Sequence, residues 1–126
     1  MQLISPEKIF RGNGAWEESL TQIKKISKRP LVLGRSLSTK DIRLQIYKVL
    51  QDHHFHIITS NLQFDCCYED LERIERIILK NNCDSIIAIG GGKVLDAGKF
   101  LADFLSIPAI TIPLSASTCA GWTALS

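Results

Sequence analysis

No apolar run in this 126-residue chain reaches the about 18–20 residues needed to cross a bilayer. The longest, such as Ile86 to Ile89, are strand-length, and no secretory leader is expected. A cytoplasmic protein with no membrane partner is expected. Charge of one sign is scarce too: 15 Lys and Arg face 13 Asp and Glu, a net +2. Lys24, Lys25, Lys28 and Arg29 gather at a helix end, where cations suit the dipole, and form no nucleic-acid arm. Nucleic acid is therefore not an expected partner. Only four cysteines occur, and none forms a C-x-x-C pair. Cys66 and Cys67 are adjacent, Cys83 precedes an apolar segment, and Cys119 lies near the C-terminal end. That spacing excludes a zinc ribbon and gives no disulfide framework, so reduced thiols are expected. The three histidines, His53, His54 and His56, straddle a helix end and a strand start, whose alternating faces do not converge on one ion. No metal ligand is expected in this chain.

The remaining composition, 45% hydrophobic and 22% charged, is that of an ordinary soluble domain spanning residues 1–126. Lys8 to Arg11 reads as a short opening strand ended by Gly12, Asn13 and Gly14. Trp16, Leu20, Ile23 and Ile26 mark one face of a helix. Leu31 to Leu33 is a buried strand stopped by Gly34. Ser38 and Asp41 make a capping box for a helix with Ile42, Ile46, Val49 and Leu50 inward. His56 to Thr59 is the next strand, and Tyr68 to Asn81 a helix with Leu71, Ile74, Ile77 and Ile78 inward. Ser85 to Ile89 is a strand, Lys93 to Leu105 a helix, and Ala109 to Ile112 a strand bracketed by Pro108 and Pro113. Apolar strands alternating with amphipathic helices predict an α/β fold. It should be a doubly wound, Rossmann-like parallel sheet with helices on both faces. Ligands of such sheets lie beyond the carboxyl ends of the strands. The loops after Gly34, Gly90 and Pro113 should therefore converge on one crevice.

The most informative of these loops is Gly90-Gly91-Gly92-Lys93. An apolar strand runs into bare backbone and then into a helix N-terminus, whose first N–H groups and dipole favour a phosphate. Lys93 adds a full positive charge. The plain alternative is a glycine turn that only packs closely. A P-loop is excluded because Val94 follows the lysine where a hydroxyl is needed, and the turn does not follow a first strand as a G-x-G-x-x-G fingerprint does.

Gly90-Gly91-Gly92-Lys93-x-x-Asp96-x-x-Lys99, together with Ile107 to Ser126, resembles the metal-dependent (iron- or zinc-using) alcohol and polyol dehydrogenases, in particular their glycerol dehydrogenase-like branch. The Pro6 to Trp16 stretch is similar to that family's opening strand and helix. The resemblance covers the family's N-terminal, cofactor-binding half. A complete member would continue into a helical C-terminal domain that carries the metal ligands. The resemblance thus implies a truncated dinucleotide-binding domain, inactive alone and with no catalytic residue of its own. It belongs to an oxidoreductase that moves hydride between NAD or NADP and a small alcohol, polyol or carbonyl substrate. The divalent metal, zinc or iron, would come from the other domain. A homo-oligomer is compatible with this. A dehydroquinate synthase-like cyclase shares the glycine motif but has lysine- and asparagine-rich site signals that are missing here. A stand-alone nucleotide-binding or inert module is the non-enzyme alternative.

By the same resemblance, Gly91, Gly92 and Lys93 hold the cofactor pyrophosphate through backbone N–H groups and one charge, while Val94 and Leu95, also cofactor-binding positions, contribute backbone contacts and packing. Asp96 stands either at the cofactor or as a structural carboxylate in the helix's first turn. Lys99 has ion-pair spacing to Asp96 and Asp103. Leu114, Ser117, Thr123 and Leu125 become contacts near the nicotinamide. Leu114 replaces a usual threonine, Trp122 a small residue, and Cys119 the aspartate that reads a polyol hydroxyl. Cys119 is thus either a substrate contact or a small packing residue, and a less polar substrate than glycerol is expected. Arg35 and Ser36 stand where NAD-using members place an aspartate on the adenosine ribose. An arginine there either attracts a 2′-phosphate, favouring NADP, or is a solvated surface residue.

Overall fold

The computed structural model describes residues 2–3, 14–35, 40–63 and 68–114, with side chains from Leu20 onward. In chain order the elements are β1 (Gln2–Leu3), α1 (Gly14–Ile26), β2 (Pro30–Gly34), α2 (Lys40–Asp52) and β3 (Ile58–Asn61). They continue with α3 (Tyr68–Lys80), β4 (Ser85–Gly90), α4 (Gly92–Leu105) and β5 (Ala109–Pro113). The five strands form one sheet in the order β1-β5-β4-β2-β3, every pair parallel.

Strand composition explains who sits in the middle. Every residue of β2 and β4 is buried, as fits strands covered on both faces. Ile86, Ile87 and Ile89 are each no more than 1% exposed, a burial worth about 1.5–3 kcal/mol per side chain. β3 alternates instead, as an edge strand does. Ile87 and Ile89 face α1 and α2, packing with Leu20, Ile23, Ile42, Ile46 and Leu50. Ile86 and Ala88 face α3 and α4, packing with Ile74, Ile78, Val94, Ala97 and Leu101. Two helices on each face make the sheet doubly wound, as its alternation of strands and helices predicts.

That winding also locates the crevice. From β2 the chain moves through α2 on one face towards β3; from the adjacent β4 it moves through α4 on the other face towards β5. Neighbouring strands whose connections leave in opposite directions define the switch point of an open α/β sheet, and ligands bind there. The register holds the strand ends level: Leu33 lies opposite Ala88, Gly34 opposite Asn61, and Gly90 opposite Pro113. Leu62 N–H donates to the Gly34 carbonyl at 2.9 Å and Leu114 N–H to the Gly90 carbonyl at 2.8 Å. The loops after Gly34, Gly90 and Pro113 therefore emerge along one edge, with the first two flanking the switch point.

Several boundaries differ from expectation. β3 begins at Ile58 rather than His56, because Phe55 and His56 donate to the Leu50 and Lys28 carbonyls while the chain turns out of α2. The histidines serve that turn: His53 Nδ1 lies 2.9 Å from the Val49 carbonyl, and His54 adopts a positive φ of 67°. Ile26, expected inward, ends α1 and is 43% exposed. β1, only two residues long, precedes the expected Lys8–Arg11 strand, which lies outside the described residues, as does the Ser38 cap. At the opposite edge of the sheet, the Asp84 carboxylate accepts the Lys28 and Arg29 N–H groups at 2.8 and 3.1 Å, and buried Ser27 and Ser85 share a hydrogen bond. Among the described residues no helix is long and apolar enough to span a membrane.

Candidate functional site

The three glycines after β4 are glycine for different reasons. Gly90 has φ 151°, a region that L side chains avoid. A Cβ there would also press Val94 at 3.2 Å. Fold geometry therefore demands it. Gly91 and Gly92 carry no such demand: a Cβ built on either meets nothing within 4 Å. Their bare backbone borders open, exposed space at the switch point, where a side chain would fill a cradle.

The same turn starts α4 in an unusual way. Gly91 is the N-cap, with φ −84° and ψ −173°, and supplies no side-chain cap. No acidic residue stands in the first turn, and the second helical residue is Lys93, a cation at the positive end of the dipole. An uncapped helix start leaves N–H groups that the helix cannot itself satisfy, and Lys93 adds repulsion there. An anion resolves both. The first helical bond, Leu95 N–H to the Gly91 carbonyl at 3.1 Å, fixes the turn.

The remaining expected contacts fall in different places. Val94 is buried beneath Gly90 and Leu95 is half-buried, so their outward contribution is backbone. The helix begins at Gly92, one residue earlier than expected, which puts Asp96 beyond its first turn and removes the dipole reason for a carboxylate there. Asp96 is exposed. Lys99, also exposed, belongs to neither of the ion pairs Arg73–Asp70 and Arg76–Glu72, so the expected pairing within α4 is corrected. Leu114 hydrogen-bonds to Gly90 through its N–H, but its side chain lies in the core with Ile89 and Ile112. Arg35 follows Gly34 directly and is partly exposed. Ser36, Ser117, Cys119, Trp122, Thr123 and Leu125 lie outside the described residues.

Three residues at or near this edge were not singled out from the sequence. Gly98 sits where a Cβ would come within 2.7 Å of the Ala88 Cβ, so this glycine lets α4 lie close against β4. Asp70 is 1% exposed, accepts the Gln63 N–H at 2.9 Å and pairs with Arg73 at 2.7 Å. Arg73 in turn donates to the Asn61 carbonyl at 2.6 Å, tying α3 to the end of β3. Arg43 is 4% exposed and crosses Gly34, where a Cβ would meet its Cδ at 2.5 Å. Burial pushes the Tyr47 phenol up; the Arg43 charge and a hydrogen bond from Arg43 oppose that shift. Helical spacing carried a signal for both charged residues: Arg43 precedes Ile46 by three, and Asp70 precedes Ile74 by four.

Burial likewise pushes the Cys83 thiol up, away from the thiolate form that reacts. Among the described residues no three His, Cys, Asp or Glu side chains gather as a metal-binding group.

The chain matches the iron-containing alcohol dehydrogenase family over residues 6–126. It is 31% identical over 122 residues to an uncharacterized oxidoreductase of Synechocystis sp., covering 97% of this chain and 31% of that protein. It is 30% identical over 122 residues to the glycerol dehydrogenase of Escherichia coli, covering 97% of this chain and 33% of the relative. Among solved structures, the glycerol dehydrogenase of Schizosaccharomyces pombe superposes with a TM-score of 0.64 at 19% identity, over 89% of this chain and 27% of that one. The chain thus spans about a third of the length of the curated relatives it matches.

Proposed function

Because this chain belongs to the iron-containing alcohol dehydrogenase family, we propose that it is the dinucleotide-binding part of an oxidoreductase acting on an alcohol, polyol or carbonyl compound. The observation that carries this is the uncapped start of α4, with open space over Gly91 and Gly92 and a cation in the first turn. A pyrophosphate satisfies each of these features at once. The N–H groups of Gly92 and Lys93 donate to it, the dipole and the Lys93 ammonium balance its charge, and the missing Cβ atoms let it approach the backbone. The bound nicotinamide dinucleotide supplies or takes up hydride. This chain's part is to fix its phosphates at β4 and its adenosine ribose towards β2.

Titration calorimetry with NAD and NADP on the purified chain tests the site. Lys93→Ala should weaken both dinucleotides by about 1–3 kcal/mol, the worth of a hydrogen bond to a charged group. Binding indifferent to that substitution would move the pyrophosphate elsewhere.

Cofactor choice rests on the other strand at the switch point. Neither Arg35 nor Ser36 is the carboxylate that would hold a ribose 2′-hydroxyl and repel a 2′-phosphate. A guanidinium there favours the phosphate, and partial exposure keeps the gain to about ten-fold at moderate salt. NADP should therefore bind more tightly than NAD, and Arg35→Asp should reverse the order. Equal affinities in both proteins would leave Arg35 a surface residue.

A further inference from the structure

The outer surface of α4 is apolar where contact with water favours polar side chains. Val94, Ala97, Gly98, Leu101 and Ala102 turn inward, which leaves the rest of the helix to Asp96, Lys99, Phe100, Asp103 and Phe104, all exposed. Phe100 keeps 56% of its surface in water and Phe104 64%. Their spacing of four residues puts one ring a turn above the other. The ring centres lie 6.2 Å apart with planes inclined by only 12°, so the pair forms a flat, preformed platform. Fully burying one such side chain is worth about 1.5–3 kcal/mol, and two of them side by side mark a contact surface rather than scattered apolar exposure. Charges accompany the rings in a set order. Lys99 precedes Phe100 and Asp103 precedes Phe104, so a cation and an anion stand one turn apart along the same edge of the platform.

We infer that this face of α4 docks a second copy of the same chain, the two α4 helices lying antiparallel about a two-fold axis level with residue 102. The charge order selects that occupant. In the antiparallel pair, Phe100 of one copy lies level with Phe104 of the other, and Lys99 comes within a turn of the other copy's Asp103. The two-fold axis repeats both contacts. A parallel pair would instead set Lys99 against Lys99 and Asp103 against Asp103, which repel. Two rings and their charged neighbours fall short of the about 800 Å² per partner of a standard interface, so the pairing is weak, with a Kd of about 10–100 µM. Lys93 stands about 13 Å along the helix from the axis, and the antiparallel arrangement carries the two Gly91–Lys93 turns to opposite ends. The contact leaves the dinucleotide turn uncovered and does not depend on it.

Sedimentation of the purified chain between ~5 and ~500 µM reads the monomer–dimer balance. Five samples are compared: the parent, Phe104→Lys, Lys99→Asp, Asp103→Lys, and an equimolar mixture of the last two. The parent should pass from monomer to dimer across that range. Phe104→Lys should stay monomeric with the parent's melting temperature, because the ring stands mostly in water and lysine is a good helix former. Lys99→Asp and Asp103→Lys each turn two attractions across the axis into repulsions and should weaken pairing about ten-fold. Their mixture restores opposite charges at both contacts and should recover the parent's affinity within about two-fold. A parent that is monomeric throughout would overturn the inference and leave the face to a different partner. A dimer that Phe104→Lys leaves intact would place the contact elsewhere and overturn it too. Charge variants that pair like the parent, or a mixture no better than either alone, would exclude the antiparallel pair and with it the inference. NAD titrations into Phe104→Lys keep the dinucleotide reading separate: parent affinity is expected, and a drop would make the ring part of that site and overturn its docking role.

Discussion

Gly92→Val should abolish dinucleotide binding, a loss of at least about a hundred-fold or about 3 kcal/mol, while the melting temperature stays where it was. The two halves of that expectation come from one fact: a Cβ on Gly92 meets nothing within 4 Å. Valine at the first helical position displaces no protein atom, and replacing glycine removes the entropy that glycine loses on folding. The branched side chain then stands in the space over which a pyrophosphate would reach the N–H groups. Gly90→Val gives the contrast. There φ is 151° and Val94 is already close, so about 1–3 kcal/mol of stability should go whether or not a ligand is present. Calorimetry and thermal melts on the two variants separate a glycine kept for a ligand from one kept for the fold. Near-parent affinity in Gly92→Val would show that the phosphates do not sit on this turn.

The contrast also marks what could be read from the chain itself. Gly90 to Lys93 was legible as an anion seat because an apolar strand, a glycine run and a helix start adjoin in sequence, so one window contains the whole device. The positions of β2, β4 and β5 were legible for a related reason. Strands buried on both faces are nearly all apolar, and Ile86 to Ile89 admits little else. β3 was misplaced by two residues because it lies at an edge, where burial alternates and the turn out of α2, not hydrophobicity, sets the start. β1 has two residues and no period at all. Gly98 passed unnoticed because its reason lies on another element: only the packing of α4 on β4 brings its Cα up to Ala88. The same holds for Arg43, whose slot exists because Gly34, nine residues earlier by number, lies beneath it once α2 folds back on β2. Local signals announce local devices; helical spacing can mark a residue as inward, but the partner it meets on another element appears only in the fold.

Asp70 belongs to that second group, and its removal should be the most damaging single polar change in the described chain. Asp70→Ala is expected to cost about 2–4 kcal/mol, below the about 3–5 kcal/mol of breaking a fully buried pair, because the Arg73 side chain keeps 32% exposure and can turn partly to water. Two losses add. The Gln63 N–H, held at 2.9 Å by the carboxylate, gives up a charge-assisted bond just past β3. Arg73 keeps its 2.6 Å bond to the Asn61 carbonyl but loses the charge that makes its half-buried position tolerable. For a chain of this size a loss near 3 kcal/mol is a fall in melting temperature of roughly 10 °C. The damage should be local before it is global. Among the described residues β3 is an edge strand paired with β2 alone, and α3 is tied to its end through Asp70 and Arg73. Hydrogen exchange should therefore rise first at Leu62 and Gln63, while the N–H groups of β4, central and buried, keep their protection. The binding that depends on the Gly90 turn should survive at temperatures below the new transition. Uniform loss of protection across β4 and β3 together, or a melting curve unmoved by the substitution, would show that Asp70 does not anchor this edge.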